Sequence, residues 1–344
     1  MKPIKAYSPT ELAQLLGELG QPSFRTKQLL EWLYVHPVRS FDEMTNLPAA
    51  LRTRLADNAP FTQTEVAERL DSVDGSSKYL LKLNDGNVVE CVAIPSGGSR
   101  ERLTLCLSSQ VGCPMECRFC ATGAEGFVRN LMVGEIVDQV NVVRNDLNAR
   151  ISNIVVMGQG EPFLNYANTV EALRIINDPK GIAVGARKIT VSTCGIIPGI
   201  ERFSKEPEQF TLAVSLHSAR QEVRNSLMPR VAKYPLGDLR RTIIDYIEAT
   251  NRRVTFEYLL LDGINDSQKD LDALLAFCKG LLCHVNILPM NPVQGSPYQP
   301  SPNHVVSDWI NALEKAGISA TLRVSRGSDI QGACGQLKNA RCFT

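Results

Sequence analysis

Between residues 8 and 60 the apolar positions recur at helical spacing. Ser8-Pro-Thr10 supplies capping residues ahead of Glu11–Gly17. A second run, Arg25 to Val35, carries Leu29, Leu30, Trp32 and Leu33 on a helical repeat, and a third lies around Leu47 to Leu55. From about residue 66 to 110 the repeat drops to two. Ser77–Leu83, the turn Asn84-Asp-Gly86 and Asn87–Pro95 predict a β-hairpin, because Asp-Gly supplies the positive φ a tight turn needs. Ser96-Gly-Gly-Ser99 reads as a further turn.

Beyond residue 130 strand-like and helix-like runs alternate. Strands are expected at Ile154–Met157, Lys188–Ser192, Phe210–Ser215, Val254–Leu259, His284–Leu288 and Thr321–Val324. Helices are expected at Val133–Leu147, Tyr166–Ile176, Leu236–Ala249, Gln268–Lys279 and Val305–Ala316. Such alternation implies parallel strands with right-handed crossovers. Six or seven units are too few for an eight-fold barrel and suit a partial (β/α)6 TIM-like barrel, whose chemistry gathers at the C-terminal strand ends. The pattern divides the chain into a helical accessory unit (1–65), a β-hairpin extension (66–98), the alternating core (99–330) and a C-terminal loop (331–344).

The bulk numbers change this picture little. The 344 residues are 44% hydrophobic and 21% charged, ordinary for a globular protein of about two domains. No apolar run approaches the ~20 residues that cross a bilayer. The N-terminus, Met1-Lys-Pro-Ile-Lys-Ala-Tyr, has no signal-like apolar stretch, so the chain is expected in the cytoplasm, away from membranes. In a reducing compartment its ten cysteines read as metal ligands or reactive thiols rather than a disulfide framework. The net charge of +1 gives no global case for nucleic acid. Basic residues do group locally, at Arg220/Arg224/Arg230, Arg240/Arg241, Arg252/Arg253, Arg323/Arg326 and Lys338/Arg341.

The most specific feature is Cys113-Pro-Met-Glu-Cys117-Arg-Phe-Cys120. Thiolates suit zinc or iron–sulfur clusters. A structural zinc site wants a fourth ligand, which a distant residue could supply. An iron–sulfur cluster with three protein ligands would leave one iron open. In Leu103-Thr-Leu-Cys-Leu-Ser108 the leucines share one face, so Cys106 points away from them, toward a barrel lumen. Gly158-Gln-Gly-Glu-Pro162 follows a strand directly, and its glycines permit close approach of a ligand or make a plain turn. Ser192, Ser215, His217 and Asn291 stand at strand ends. Glu90 shares its strand face with Val88, Val92 and Ile94, surroundings that would raise a carboxyl pKa, unless it is a surface residue of a sheet edge. Cys334 lies among small residues in Gly332-Ala-Cys-Gly-Gln-Leu337.

The cysteine spacing resembles that of the radical S-adenosylmethionine enzymes. Cys106-Leu-Ser-Ser-Gln-Val-Gly-Cys-Pro-Met-Glu-Cys-Arg-Phe-Cys-Ala-Thr-Gly123, with Gly332–Leu337, is similar to the RlmN/Cfr family of RNA methyltransferases over nearly the whole chain. The resemblance implies the radical S-adenosylmethionine barrel with an RNA-contacting N-terminal domain. It implies a 4Fe–4S cluster on Cys113, Cys117 and Cys120, with S-adenosylmethionine held by Gly160, Glu161, Ser192, Ser215, Leu216, His217 and Asn291. Two S-adenosylmethionine molecules are used per turnover. The first methylates Cys334. The second gives a 5′-deoxyadenosyl radical, which takes hydrogen from the S-methyl group. The carbon radical adds to adenine, Glu90 accepts the ring proton, and Cys106 releases the product by forming a transient disulfide with Cys334. The implied product is C2-methyladenosine in 23S rRNA near the peptidyl transferase centre and in the tRNA anticodon stem-loop. A flavodoxin- or ferredoxin-type reductant and a monomeric enzyme are expected. Gln159 and Cys194 depart from the family pattern, which favours methionine and serine there. The alternatives are C8 methylation as in Cfr, a radical activase acting on another protein, and a zinc-stabilised RNA-binding module without catalysis.

Overall fold

The structure is a computed structural model that describes residues 1–36, 38–96, 102–293 and 295–338. The expected turn at Ser96–Ser99 and the basic residue Arg341 fall largely or wholly outside the described residues.

Helices α1 (Pro9–Glu18), α2 (Phe24–Tyr34) and α3 (Ala49–Asn58) form the N-terminal unit. Ser8 and Glu11 close a capping box on α1: Glu11 N–H donates to Ser8 Oγ at 3.2 Å and Ser8 N–H to Glu11 Oε2 at 2.7 Å. The buried faces (Leu12 and Leu16, Leu29 and Leu33, Leu51 and Leu55) belong to the same apolar core as the rest of the protein. A buried ion pair, Lys5 Nζ to Asp138 Oδ1 at 2.8 Å, joins this unit to the core helix over Val133–Asp146.

Strands β1 (Glu65–Asp71), β2 (Ser77–Lys82) and β3 (Val88–Ser96) are antiparallel. The expected hairpin is β2–β3, with Gly86 at φ +85° in its turn. β1 adds a third strand, and its largely exposed side chains give it little hydrophobic alternation to read. Next come β4 (Arg102–Cys106), β5 (Gln110–Gly112), α4 (Ala121–Glu125), β6 (Phe127–Asn130) and α5 (Val133–Asp146). The core continues through β7 (Asn153–Val156), α6 (Tyr166–Asn177), β8 (Ile189–Thr193), α7 (Ile197–Phe203), β9 (Thr211–Ser215), α8 (Gln221–Leu227) and α9 (Leu236–Thr250). It closes with β10 (Val254–Leu260), α10 (Gln268–Cys278), β11 (Cys283–Pro289), α11 (Asn303–Lys315) and β12 (Ser319–Leu322).

One sheet runs β1-β2-β3-β4-β7-β8-β9-β10-β11-β12. Its first three pairings are antiparallel, and from β4 to β12 every neighbour is parallel, as the alternating pattern requires. The partial barrel is therefore present, with the β1–β3 meander extending its sheet. The short helices α7 and α8 and the small β5–β6 hairpin are additions too brief to leave a period in the sequence. Among the described residues no helix is long and apolar enough to cross a membrane.

Candidate active site

The three clustered cysteines sit on one loop, bracketed by β5 and β6. Cys113 N–H donates to the Gly126 carbonyl at 2.8 Å and Cys120 N–H to that of Cys117 at 3.1 Å. Gly123 lets the loop fold on itself: a Cβ there would lie 2.9 Å from Cys117 N. All three side chains line a cavity of about 250 Å³ at the C-terminal ends of the parallel strands. Burial pushes the Cys113 and Cys120 thiols up. Among the described residues no three His, Cys, Asp or Glu side chains gather as they would round a single metal ion.

The Gly-x-Gly-Glu turn after β7 packs against the β4–β5 link. A Cβ at Gly158 would meet Ser108 Oγ at 2.6 Å, and one at Gly160 would meet Gln110 Cβ at 2.7 Å. Gly160 also has φ +105°, so glycine is required there twice over. Glu161 is buried, accepts from Phe163 N–H at 3.0 Å and Cys194 N–H at 2.6 Å, and is pushed up by burial. Gln159 is buried as well. Its Oε1 accepts the Glu90 N–H at 2.9 Å, tying this turn to β3, which methionine would do less well.

Ser192 and Ser215 face each other across adjacent strand ends, with 3.5 Å between their hydroxyls. His217 Nδ1 accepts the Leu259 N–H at 3.0 Å, which leaves the ring proton on Nε2. Burial, then the Arg224 charge, depress its pKa to about 3, so the imidazole is neutral. Leu216 is buried and does not line the cavity; it enters through its backbone, whose carbonyl accepts from Arg224. Arg224, a member of the local basic group with Arg220 and Arg230, is fully buried. Its guanidinium donates to the carbonyls of Ser215 at 2.9 Å and Cys194 at 2.6 Å, locking two strand ends together.

Cys334 is exposed on its loop yet lines the same cavity. Asn291 Nδ2 donates to its carbonyl at 3.1 Å. Thr122 Oγ1 donates to the Leu337 carbonyl at 2.6 Å and Ala121 N–H to that of Gly335 at 2.8 Å, which seats the loop against α4, directly after Cys120. Cys106 lines the cavity from β4, as the alternation predicts, while Leu105 and Leu107 join the main core. Burial and the neighbouring Cys334 push its thiol up to about 12, and Arg323 opposes them. Arg323 also lines the cavity. Its Nη1 lies 3.3 Å from Met157 Sδ and 3.7 Å from Glu257 Oε2. Glu257 is buried on β10 and lines the cavity beside it.

Glu90 stands on β3 outside the lining of this cavity. Burial pushes it up to about 7, against the pull of Lys78, whose Nζ lies 3.2 Å from Oε1. Its Oε2 accepts the Lys338 N–H at 2.9 Å, just beyond the Cys334 loop.

Of the residues singled out from the sequence, Gly160, Glu161, Ser192, Ser215, His217, Asn291, Cys106, Cys334 and the three loop cysteines line one cavity. Arg224, Arg323, Glu257 and Lys78 were not anticipated at the site. Two of them were visible only as members of arginine groups, and nothing in their spacing tells an inward guanidinium from a solvated one. All nine described cysteines are free.

A partial parallel barrel with three cysteines on the loop after its first strand, facing strand-end polar groups, defines a radical S-adenosylmethionine enzyme. Residues 107–275 match the Radical SAM superfamily and residues 4–60 the ribosomal RNA large subunit methyltransferase N-terminal domain. A protein of Moorella thermoacetica named "Probable dual-specificity RNA methyltransferase RlmN" is 44% identical, covering 98% of this chain and 97% of its own. Its counterpart in Symbiobacterium thermophilum is 43% identical, covering 98% and 91%. A crystal structure of a radical SAM methyltransferase from Sphaerobacter thermophilus superposes with a TM-score of 0.90 at 40% identity, covering 98% and 99%. The chain belongs to the RlmN family of radical S-adenosylmethionine RNA methyltransferases. That membership brings with it a 4Fe–4S cluster, S-adenosylmethionine and an RNA substrate.

Proposed function

We propose that this enzyme methylates C2 of an adenosine in 23S rRNA and of an adenosine in the tRNA anticodon stem-loop, with Cys334 as the methyl carrier. The observation that supports this reading is that Cys334 and Cys106 line the same cavity as the three loop thiols and the strand-end polar groups. The donor set fits a cluster: Cys113, Cys117 and Cys120 are soft ligands on one loop that offers no fourth. When bound, that cluster supplies the electron that starts radical chemistry on S-adenosylmethionine. Glu161, Gly160, Ser192, Ser215, His217, Asn291 and the Leu216 backbone are the groups to hold that molecule, of which two are used per turnover.

The chain's own residues do the rest. Cys334, on an exposed loop, accepts the methyl group as thiolate and presents it to the base. A ring carbon such as C2 is not nucleophilic, so the methyl carbon must be joined to it before the ring proton leaves. Glu90, with a pKa near neutrality, is suited to accept that proton. Cys106 attacks the Cys334 sulfur and breaks its bond to the transferred carbon, which leaves on the base; the transient disulfide is returned to two thiols by a two-electron thiol reductant, and a separate one-electron donor of flavodoxin or ferredoxin type would supply the cluster. The target base must leave its stack to enter the cavity. The N-terminal helical unit (1–65) is the candidate for gripping RNA outside it. The enzyme works as a cytoplasmic monomer.

Mass spectrometry of nucleosides from treated 23S rRNA and tRNA tests this. C2-methyladenosine is expected, a C8 product would reassign the chain to Cfr-type chemistry, and methylation surviving in Cys334→Ala would end the carrier role.

A further inference from the structure

The Cys334 sulfur has to satisfy two geometries. It must present its methyl group to a base, and later it must come within bonding distance of Cys106, which a disulfide allows only over a narrow Cα separation. The loop therefore needs a holding device that lets go at the right moment.

Contacts from the β1–β3 meander reach both flanks of that loop. Ser72 Oγ and Val73 N–H donate to Asp329 at 2.6 and 3.2 Å, and Gly327 N–H donates to Asp74 Oδ2 at 2.8 Å. These anchor the entry to the loop. Lys78, buried on β2, contacts a residue nearer Cys334 along the chain: its Nζ lies 3.5 Å from the Gln331 carbonyl and 3.2 Å from Glu90 Oε1. The other Glu90 oxygen takes the Lys338 N–H. One ion pair thus grips the backbone on either side of Cys334. It is also the grip whose charge the proposed reaction would change.

We propose that Lys78 is a positioning residue that couples the seating of the Cys334 loop to the charge on Glu90. While Glu90 is ionised, the pair holds residues 331 and 338 and keeps Cys334 over the cavity. When Glu90 takes up the ring proton, its attraction for Lys78 is lost and its acceptance of the Lys338 N–H weakens. The loop is then released for the disulfide step. The inference rests on the reading of Glu90 as proton acceptor and Cys334 as carrier. The groups facing Glu90 are Lys78 from β2, Glu125 from α4, the Lys338 backbone and, on its own strand, Cys91.

Hydrogen–deuterium exchange on the full-length, cluster-free chain tests it, with rates corrected for intrinsic pH dependence. At about pH 8, peptides covering residues 327–338 should exchange about tenfold faster in Glu90→Gln and Lys78→Met than in the wild type, with Lys78→Arg close to wild type. At about pH 6 the wild type should approach Glu90→Gln. Peptides from β8–β10 report global folding. If Lys78→Met loosens those too, the Lys78→Met/Glu90→Gln double variant replaces it and should exchange quickly in 327–338 at both pH values. Unchanged loop exchange in Glu90→Gln at pH 8, or a Lys78→Arg variant as loose as Lys78→Met, would overturn the coupling. Tryptic mass analysis of Cys334 after incubation of the reconstituted enzyme with S-adenosylmethionine is the separate readout for the carrier. Its failure with intact loop coupling would sink the carrier reading alone.

Discussion

Asn291, two residues beyond β11, donates its amide to the carbonyl of Cys334, 43 positions later, at 3.1 Å. One side chain therefore lines the cavity and pins the loop that bears Cys334. Both Asn291→Ala and Asn291→Asp should weaken S-adenosylmethionine binding by about tenfold, or ~1.4 kcal/mol, measured by calorimetry. The aspartate should be no better than alanine, because a carboxylate cannot donate to a carbonyl. An aspartate variant that binds as the wild type does would show that the donated bond is dispensable.

Glu90 makes a pH-dependent contribution with a defined sign. Burial lifts its pKa from about 4.5 to about 7, so folding favours the protonated form. Its stabilising contribution is complete below about pH 4.5 and is lost as pH rises through about 7. The stability gap between Glu90→Gln and the wild type, followed by thermal unfolding, should move in the variant's favour as pH rises from about 5 to about 8, whatever constant offset the unpaired Lys78 adds. A gap that does not change with pH refutes the raised pKa. In turnover the same variant should lose the ability to take the ring proton, so product formation should fall at every pH.

Arg224 is buried and holds the carbonyls of Ser215 and Cys194. Replacing it with methionine leaves these acceptors unpaired, at a cost of about 3–5 kcal/mol in unfolding free energy. Denaturant melts measure the loss. Destabilisation below about 1 kcal/mol would mean that water takes over its hydrogen bonds.

Arg323 lines the cavity with Cys106 and Cys334, its charge partly offset by Glu257 3.7 Å away. It opposes the upward shift of the Cys106 thiol, so Arg323→Gln should make the Cys106 thiolate scarcer. Formation of the Cys106–Cys334 disulfide under mild oxidation should slow about tenfold near pH 8 and move to higher pH, with Arg323→Lys restoring most of the rate. An unchanged pH profile in Arg323→Gln would remove the arginine from the thiol chemistry.

Much of this protein could be read directly from its residues. The change of hydrophobic period from helical to two and then to alternation sets the helical unit, the hairpin and the parallel core, because side chains on one face must be buried together. The cysteine spacing marked the loop as a soft-metal or cluster site, since thiolates are soft ligands. The face that Cys106 presents followed from strand alternation alone.

What the sequence could not decide is which distant charged residues turn inward. Arg224 and Arg323 look like any surface arginines, and β1 shows no alternation because most of it is exposed. Gln159 meets the backbone of Glu90, and Lys78 meets Gln331, only because the sheet brings β3 beside β4 and the C-terminal loop back over both. Local pattern determines the elements and the reactive groups. The pairing of charges across hundreds of residues is decided by tertiary packing, because a buried charge must find its partner wherever the fold delivers one.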